Sequence, residues 1–126
     1  MNVTLWVLQV LLAAAFLAHG VLFLTPPPEI AVLMDASLPR WFQLFLGVAE
    51  VAAAVGLTLP GITRVLPSLV AWAAAGIVVV MVSATVYHLA RGEGSSAATT
   101  FVLLCVASFV TWARWRVRPI AARSRR

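Results

Sequence analysis

Residues 41–60, WFQLFLGVAEVAAAVGLTLP, stay apolar for long enough to cross a bilayer and carry one carboxylate, Glu50, near their centre. A charged side chain at that depth costs about 3 kcal/mol on insertion scales, so it faces a helix bundle or a wet cavity rather than lipid. Glu50 is therefore the first candidate for a functional role, as a ligand-binding or proton-linked group.

Three more runs of about 20 apolar residues follow the same logic. With 126 residues, 63% of them hydrophobic and 10% charged, the chain cannot cover itself with a water-soluble surface. The sequence predicts an all-α fold, a transmembrane four-helix bundle with helices at about 3–25, 41–59, 68–90 and 97–115. Residues 1–118 form a single domain and 119–126 a basic tail. The N-terminal run lacks a positively charged leader and is longer than a signal core, which predicts a retained first helix. Prolines 26–28 end that helix, and Pro60 closes the second. The loop between them is the longest in the chain and has room for a short interfacial helix over 30–34, a lid or docking surface.

Four crossings place both termini and the Arg64 turn on one side, with Arg114, Arg116, Arg118, Arg123, Arg125 and Arg126. The other side holds Arg40 and Arg91 beside Glu29, Asp35 and Glu93. The positive-inside rule makes the arginine-rich side cytoplasmic, and the tail a contact for anionic lipids rather than nucleic acid. All-arginine basic usage with abundant alanine points to a bacterial inner membrane. Cys105 is the single cysteine, so an intramolecular disulfide and a Cys-x-x-Cys redox centre are excluded, and it reads as a small core hydrophobe.

Small residues let helices approach closely in lipid. Gly47, Ala53, Gly56 and Gly76 are the candidate packing positions and predict tight contact between the second and third spanning helices. Gln43, Gly47, Glu50 and Ala54 recur at i, i+4, i+7 and i+11, one face of a helix, as do Met81, Thr85 and His88 on the third. At about 1.5 Å per residue, Glu50 lies about 15 Å below the outer face and His19 about 9 Å, with Gln43 and His88 near the rim. The expected site is an outward-opening polar pocket lined by Gln43, Glu50, His19, Thr85 and His88, with Glu50 at its floor. By depth His19 is a nearer partner for Glu50 than His88. The inner half offers almost nothing polar beyond hydroxyls. Glu93 reads as a solvated turn residue. No metal spacing, phosphate loop or nucleophile elbow is present.

The succession QVLLAAAFLAHGVLFLT, LFLGVAEVAAAVGLTLPGITRVLPSL and AAAGIVVVMVSATVYHLARGE, over about residues 8–94, resembles the DoxX-like family of small four-helix bacterial membrane proteins. Its most specific parts are Gly47-x-x-Glu50 leading to Gly56-Leu57-x-Leu59-Pro60, and His88 followed by Arg91-Gly92-Glu93. Where the family pattern carries a lysine and an arginine, this chain has Phe23 and Leu44, which leaves His19 to partner Glu50. The resemblance implies an accessory subunit or a small-ligand or quinone-binding protein without catalysis of its own, working with a membrane protein partner or as a homo-oligomer. Two other readings stand beside it. One is a proton-coupled transporter built on Glu50, as in small multidrug exporters, which carry their glutamate in the first helix. The other is a subunit of a membrane redox complex.

Overall fold

The computed structural model describes residues 2–124. It contains α1 (Asn2–Leu24), α2 (Pro28–Ser37), α3 (Arg40–Thr63), α4 (Leu69–Ala90) and α5 (Gly94–Trp112), the last continuing into a π-helical turn, Ala113–Val117. The helices α1, α3, α4 and α5 are each long and apolar enough to cross a membrane. The chain is a multi-pass membrane protein built as a helical bundle. Large apolar side chains such as Val48, Val55, Val79 and Val86 are exposed, as a lipid-facing surface requires.

Each spanning helix turns one stripe inward. On α1 it is Leu5, Gln9, Leu12, Phe16, Gly20 and Phe23; on α3 it is Gln43, Gly47, Glu50, Ala54, Leu57 and Gly61. On α4, Val70, Ala74, Ile77 and Met81 do the same, and Leu12, Phe16, Leu57, Ile77 and Val110 knit all four helices into one core. The spacing is the 3.6-residue period of a helix with one protein-facing side.

The closest helix pairs are α1 with α3 and α4 with α5, while α3 meets α4 along a lesser seam. The expected contact between the second and third spanning helices is present, beside these two closer pairs. Gly47 faces α1, not α4: a Cβ at Gly47 would sit 2.8 Å from Leu24 Cγ and 3.0 Å from Gly20 O. Gly56 does serve the α3/α4 seam, where a Cβ would come 2.8 Å from Ala73 Cβ, and Ala53 packs on the core beside it. Gly76 takes no part in packing, since a Cβ there would meet nothing within 4 Å. It precedes Ile77 by one residue and so lies about 100° around the helix from the buried stripe.

The bounds of three helices differ from expectation. Pro60 sits inside α3, which runs on to Thr63 and ends at Arg64 in the left-handed region (φ 58°). A proline removes one helical hydrogen bond, here to Gly56 O, and the neighbouring bonds carry the helix on to Thr63. α5 begins at Gly94, three residues before the expected start, and α2 is longer than the segment 30–34. Cys105 is exposed, which corrects its reading as a core residue. It lies on the outer face of α5, two positions before the buried Ala107.

The segment after the π turn does not leave the bundle. Arg123 N–H donates to Arg64 O (2.9 Å), and Arg64 Nε donates to Ala121 O (2.9 Å). The N-terminus, the α3–α4 turn and residues 119–124 thus gather at one end of the molecule.

Candidate functional site

At the opposite end, Arg40 ties the end of α1 to α3, and Gln43 ties α3 to α2. Arg40 donates to Phe23 O (2.8 Å) and Leu24 O (2.9 Å), satisfying carbonyls that the last turn of α1 leaves free. It also donates to Gln43 Oε1 (3.1 Å). Gln43 Nε2 donates to Asp35 Oδ1 and to Leu38 O, both at 2.8 Å. Every polar atom of the buried Gln43 side chain is thereby spent on the α2–α3 junction. Gln43 anchors the lid and does not line the pocket, a correction whose cause is the acceptor pair that α2 brings to it.

Beneath α2 is a cavity of about 460 Å³ whose walls are largely apolar, with Met34, Phe42, Leu46 and Met81 among them. Its polar wall groups are His19, Glu50, Tyr87, His88, Glu93 and hydroxyls that include Thr100. A second cavity of about 490 Å³, between α1 and α5, shares His19, Met81, His88 and Thr100 with the first. Those four side chains are the partition between the two spaces.

Glu50 is 3% exposed, and its Oε2 lies 2.8 Å from His19 Nδ1. One proton serves this contact in either of two forms: Nδ1–H donating to a carboxylate, or a carboxylic O–H donating to Nδ1. The imidazole is 56% exposed and packs edge-on against Phe23, with ring centroids 4.7 Å apart. The pair thus connects a buried carboxyl to the bundle exterior. Its proximity follows from the crossing of α1 and α3, where Gly20 would place a Cβ 3.1 Å from Glu50 Cβ.

His88 does not reach Glu50; its Nδ1–H donates to Glu93 Oε2 instead. Arg91 Nε donates to the other oxygen of Glu93 at 2.8 Å, and the Arg91 guanidinium stacks over Tyr87 at 5.3 Å. Glu93 is a clasp at the α4–α5 turn, more than the solvated residue its Gly-flanked position implied. The hydrogen bond from Arg91, reinforced by the one from His88, holds the Glu93 carboxyl below its ordinary range. Thr85 donates to Met81 O (2.7 Å) and lies 2.9 Å from Thr100 Oγ1, so it joins α4 to α5 behind the cavity wall while Thr100 faces the cavity.

Tyr87 is a site residue beyond those expected from the sequence. Its hydroxyl is buried without a hydrogen-bond partner among the described residues, and the residue lines the cavity. The available signal was its place one residue before His88, at the depth already assigned to the pocket mouth. Among the described residues no three His, Cys, Asp or Glu side chains gather as a metal ion would require.

The chain matches the model of the DoxX-like family over residues 7–110. Neither a curated protein nor a solved structure matches it. The match takes in the His19–Glu50 pair, the lid and the clasp, and the chain belongs to the DoxX-like family.

Proposed function

We propose that the protein is a non-enzymatic binder of a small apolar ligand that carries hydrogen-bond acceptors, a quinone being the fitting chemical class, and that it serves a membrane partner as an accessory subunit. The observation that carries this reading is the unpartnered, buried Tyr87 hydroxyl in the wall of the cavity that Glu50 and His19 also line. A buried donor without a partner costs about 1–3 kcal/mol, which a ligand carbonyl offsets. Apolar walls with a few convergent polar groups are what a ring with two carbonyls requires. On this reading the Glu50–His19 contact orients or protonates one carbonyl, and Tyr87 donates to the other.

The test is a calorimetric titration of a short-chain ubiquinone into the purified protein in neutral detergent. One saturable site is expected, weakened about fivefold in Tyr87→Phe by loss of one hydrogen bond worth about 1 kcal/mol. Absence of saturable binding sinks the reading.

A proton-coupled transporter is the second reading, favoured by the continuity from the exposed His19 ring to the buried Glu50. It requires that Glu50→Gln abolish pH-driven substrate flux in proteoliposomes while the fold is kept. On this reading the end holding both termini faces the cytoplasm of a bacterial inner membrane, with anionic lipid at its exposed arginines, a proposal supported by the excess of arginine there.

A further inference from the structure

The arginine-rich end holds a second polar cluster, where the sequence predicted little but hydroxyls. Gln9, fully buried on α1, donates to Leu57 O at 2.8 Å and accepts from Arg114 Nε. Arg114 is 4% exposed; its Nη1 donates to Asn2 Oδ1 (2.8 Å) and to Arg118 O (3.1 Å), and its guanidinium lies 5.4 Å from the Trp6 ring. Every one of these acceptors is neutral. Nη2 is buried with no partner among the described residues. None of the ion pairs among the described residues includes Arg114, and the chain's four acidic residues lie on α2, at the middle of α3 and at the α4–α5 turn. A buried guanidinium with no counter-anion among the described residues is an incomplete site, because burying an unpaired charge is costly.

Space for the missing anion is adjacent. A cavity of about 380 Å³ is walled by Asn2, Trp6 and Arg114 together with the exposed Arg64 and Arg118. Arg114 also borders a cavity of about 420 Å³ beside Ser68 and Trp115. The chain closes over both through Pro119 and Ile120, held by the Arg64 bonds to Ala121 and Arg123. Trp6 and Trp115 mark this depth as the headgroup level of a bilayer, where phosphates lie. Guanidinium groups recognise phosphate oxygens by paired N–H donors, and Arg114 has two such hydrogens to offer on Nη2.

We propose that Arg114, with Arg64 and Arg118 at the mouth, binds the phosphate group of a phosphate-bearing ligand at the arginine-rich end of the bundle. The site deepens the assignment of this end to anionic lipid and is independent of the cavity beneath α2. The chemistry is shared by a lipid headgroup and a soluble phosphate, and the test separates them. Detergent-solubilised protein is titrated with dioleoyl phosphatidylglycerol by native mass spectrometry, and with sodium phosphate by calorimetry. One saturable equivalent is expected from at least one of the two. Arg118→Gln, at an exposed position, weakens it about tenfold, the effect of one lost charge-assisted hydrogen bond. Arg116→Gln, which lines neither cavity, changes it less than twofold. Saturation by lipid alone assigns a headgroup site, and saturation by inorganic phosphate assigns a site for soluble phosphates; either supports the proposal. It is overturned if neither ligand saturates, or if Arg116→Gln weakens binding as much as Arg118→Gln, which is the behaviour of diffuse surface charge.

Discussion

Gly20 and Gly47 meet backbone to backbone: a Cβ on Gly20 would stand 2.9 Å from Gly47 O, and one on Gly47 would stand 3.0 Å from Gly20 O. This crossing of α1 and α3 brings His19 against Glu50, because each glycine lies within three residues of one member of the pair. Packing and site are therefore coupled. Gly20→Ala or Gly47→Ala is expected to lower stability by about 1–3 kcal/mol through overpacking. Gly76→Ala, at a position facing open space, is expected to leave stability unchanged or slightly raised. Thermal unfolding in detergent followed by circular dichroism measures the difference.

The His19–Glu50 contact has its own signature. His19→Ala strips a buried carboxyl of its partner and is expected to cost about 1–3 kcal/mol. Glu50→Gln keeps both size and hydrogen-bonding capacity and is expected to cost less than about 1 kcal/mol. Equal losses from the two variants in chemical unfolding would show that the pair only fills space.

Gln9 bridges Leu57 O and Arg114 in a buried setting. Gln9→Leu removes one of the few acceptors around an already underserved cation and is expected to destabilise by about 3 kcal/mol. The double variant Gln9→Leu with Arg114→Leu is expected to recover part of that loss, as replacement of a whole polar cluster by apolar residues does. A double variant no better than the single would contradict the cost assigned to the stranded charge.

Glu93 offers a pH test outside the membrane-spanning segments. Its carboxyl ordinarily titrates at 4.5, and the bonds from Arg91 first and His88 second move it lower. A lowered folded value means that the clasp contributes its full stabilisation above pH 4.5 and loses it as pH falls through the folded value. Carboxyl carbon chemical shifts in micelles should show a midpoint below 4.5, rising toward 4.5 in Arg91→Gln. A wild-type midpoint at or above 4.5 would contradict the clasp.

What the sequence reveals depends on how rare a residue is in its surroundings. Glu50 is one carboxylate in an apolar run, so its stripe with Gln43, Gly47 and Ala54 stands out, and all four are buried together. Depth arithmetic also placed His19 nearer than His88, because helical rise is fixed whatever the packing. Small residues carry less information in so alanine-rich a chain: the Gly20–Gly47 crossing and the outward-facing Gly76 look alike in sequence. Gln43 lay on the right face but was claimed by Asp35 and Leu38 of the lid, partners that helical periodicity does not contain. Arg114 was hidden among six C-terminal arginines that the positive-inside rule already explains. Its register with Ala107 and Val110, at i, i+3 and i+7, was the legible signal of burial.

On the proposed function, the space beneath α2 receives a carbonyl-bearing apolar ligand. Photo-crosslinking with an azido-quinone, followed by peptide mapping, tests it most directly. Labels are expected on cavity-lining residues such as Met34, Leu46, Met81 and Tyr87, competed away by unlabelled quinone and reduced in Tyr87→Phe. Labels confined to lipid-facing side chains such as Val48 and Val55, and insensitive to competition, would contradict it.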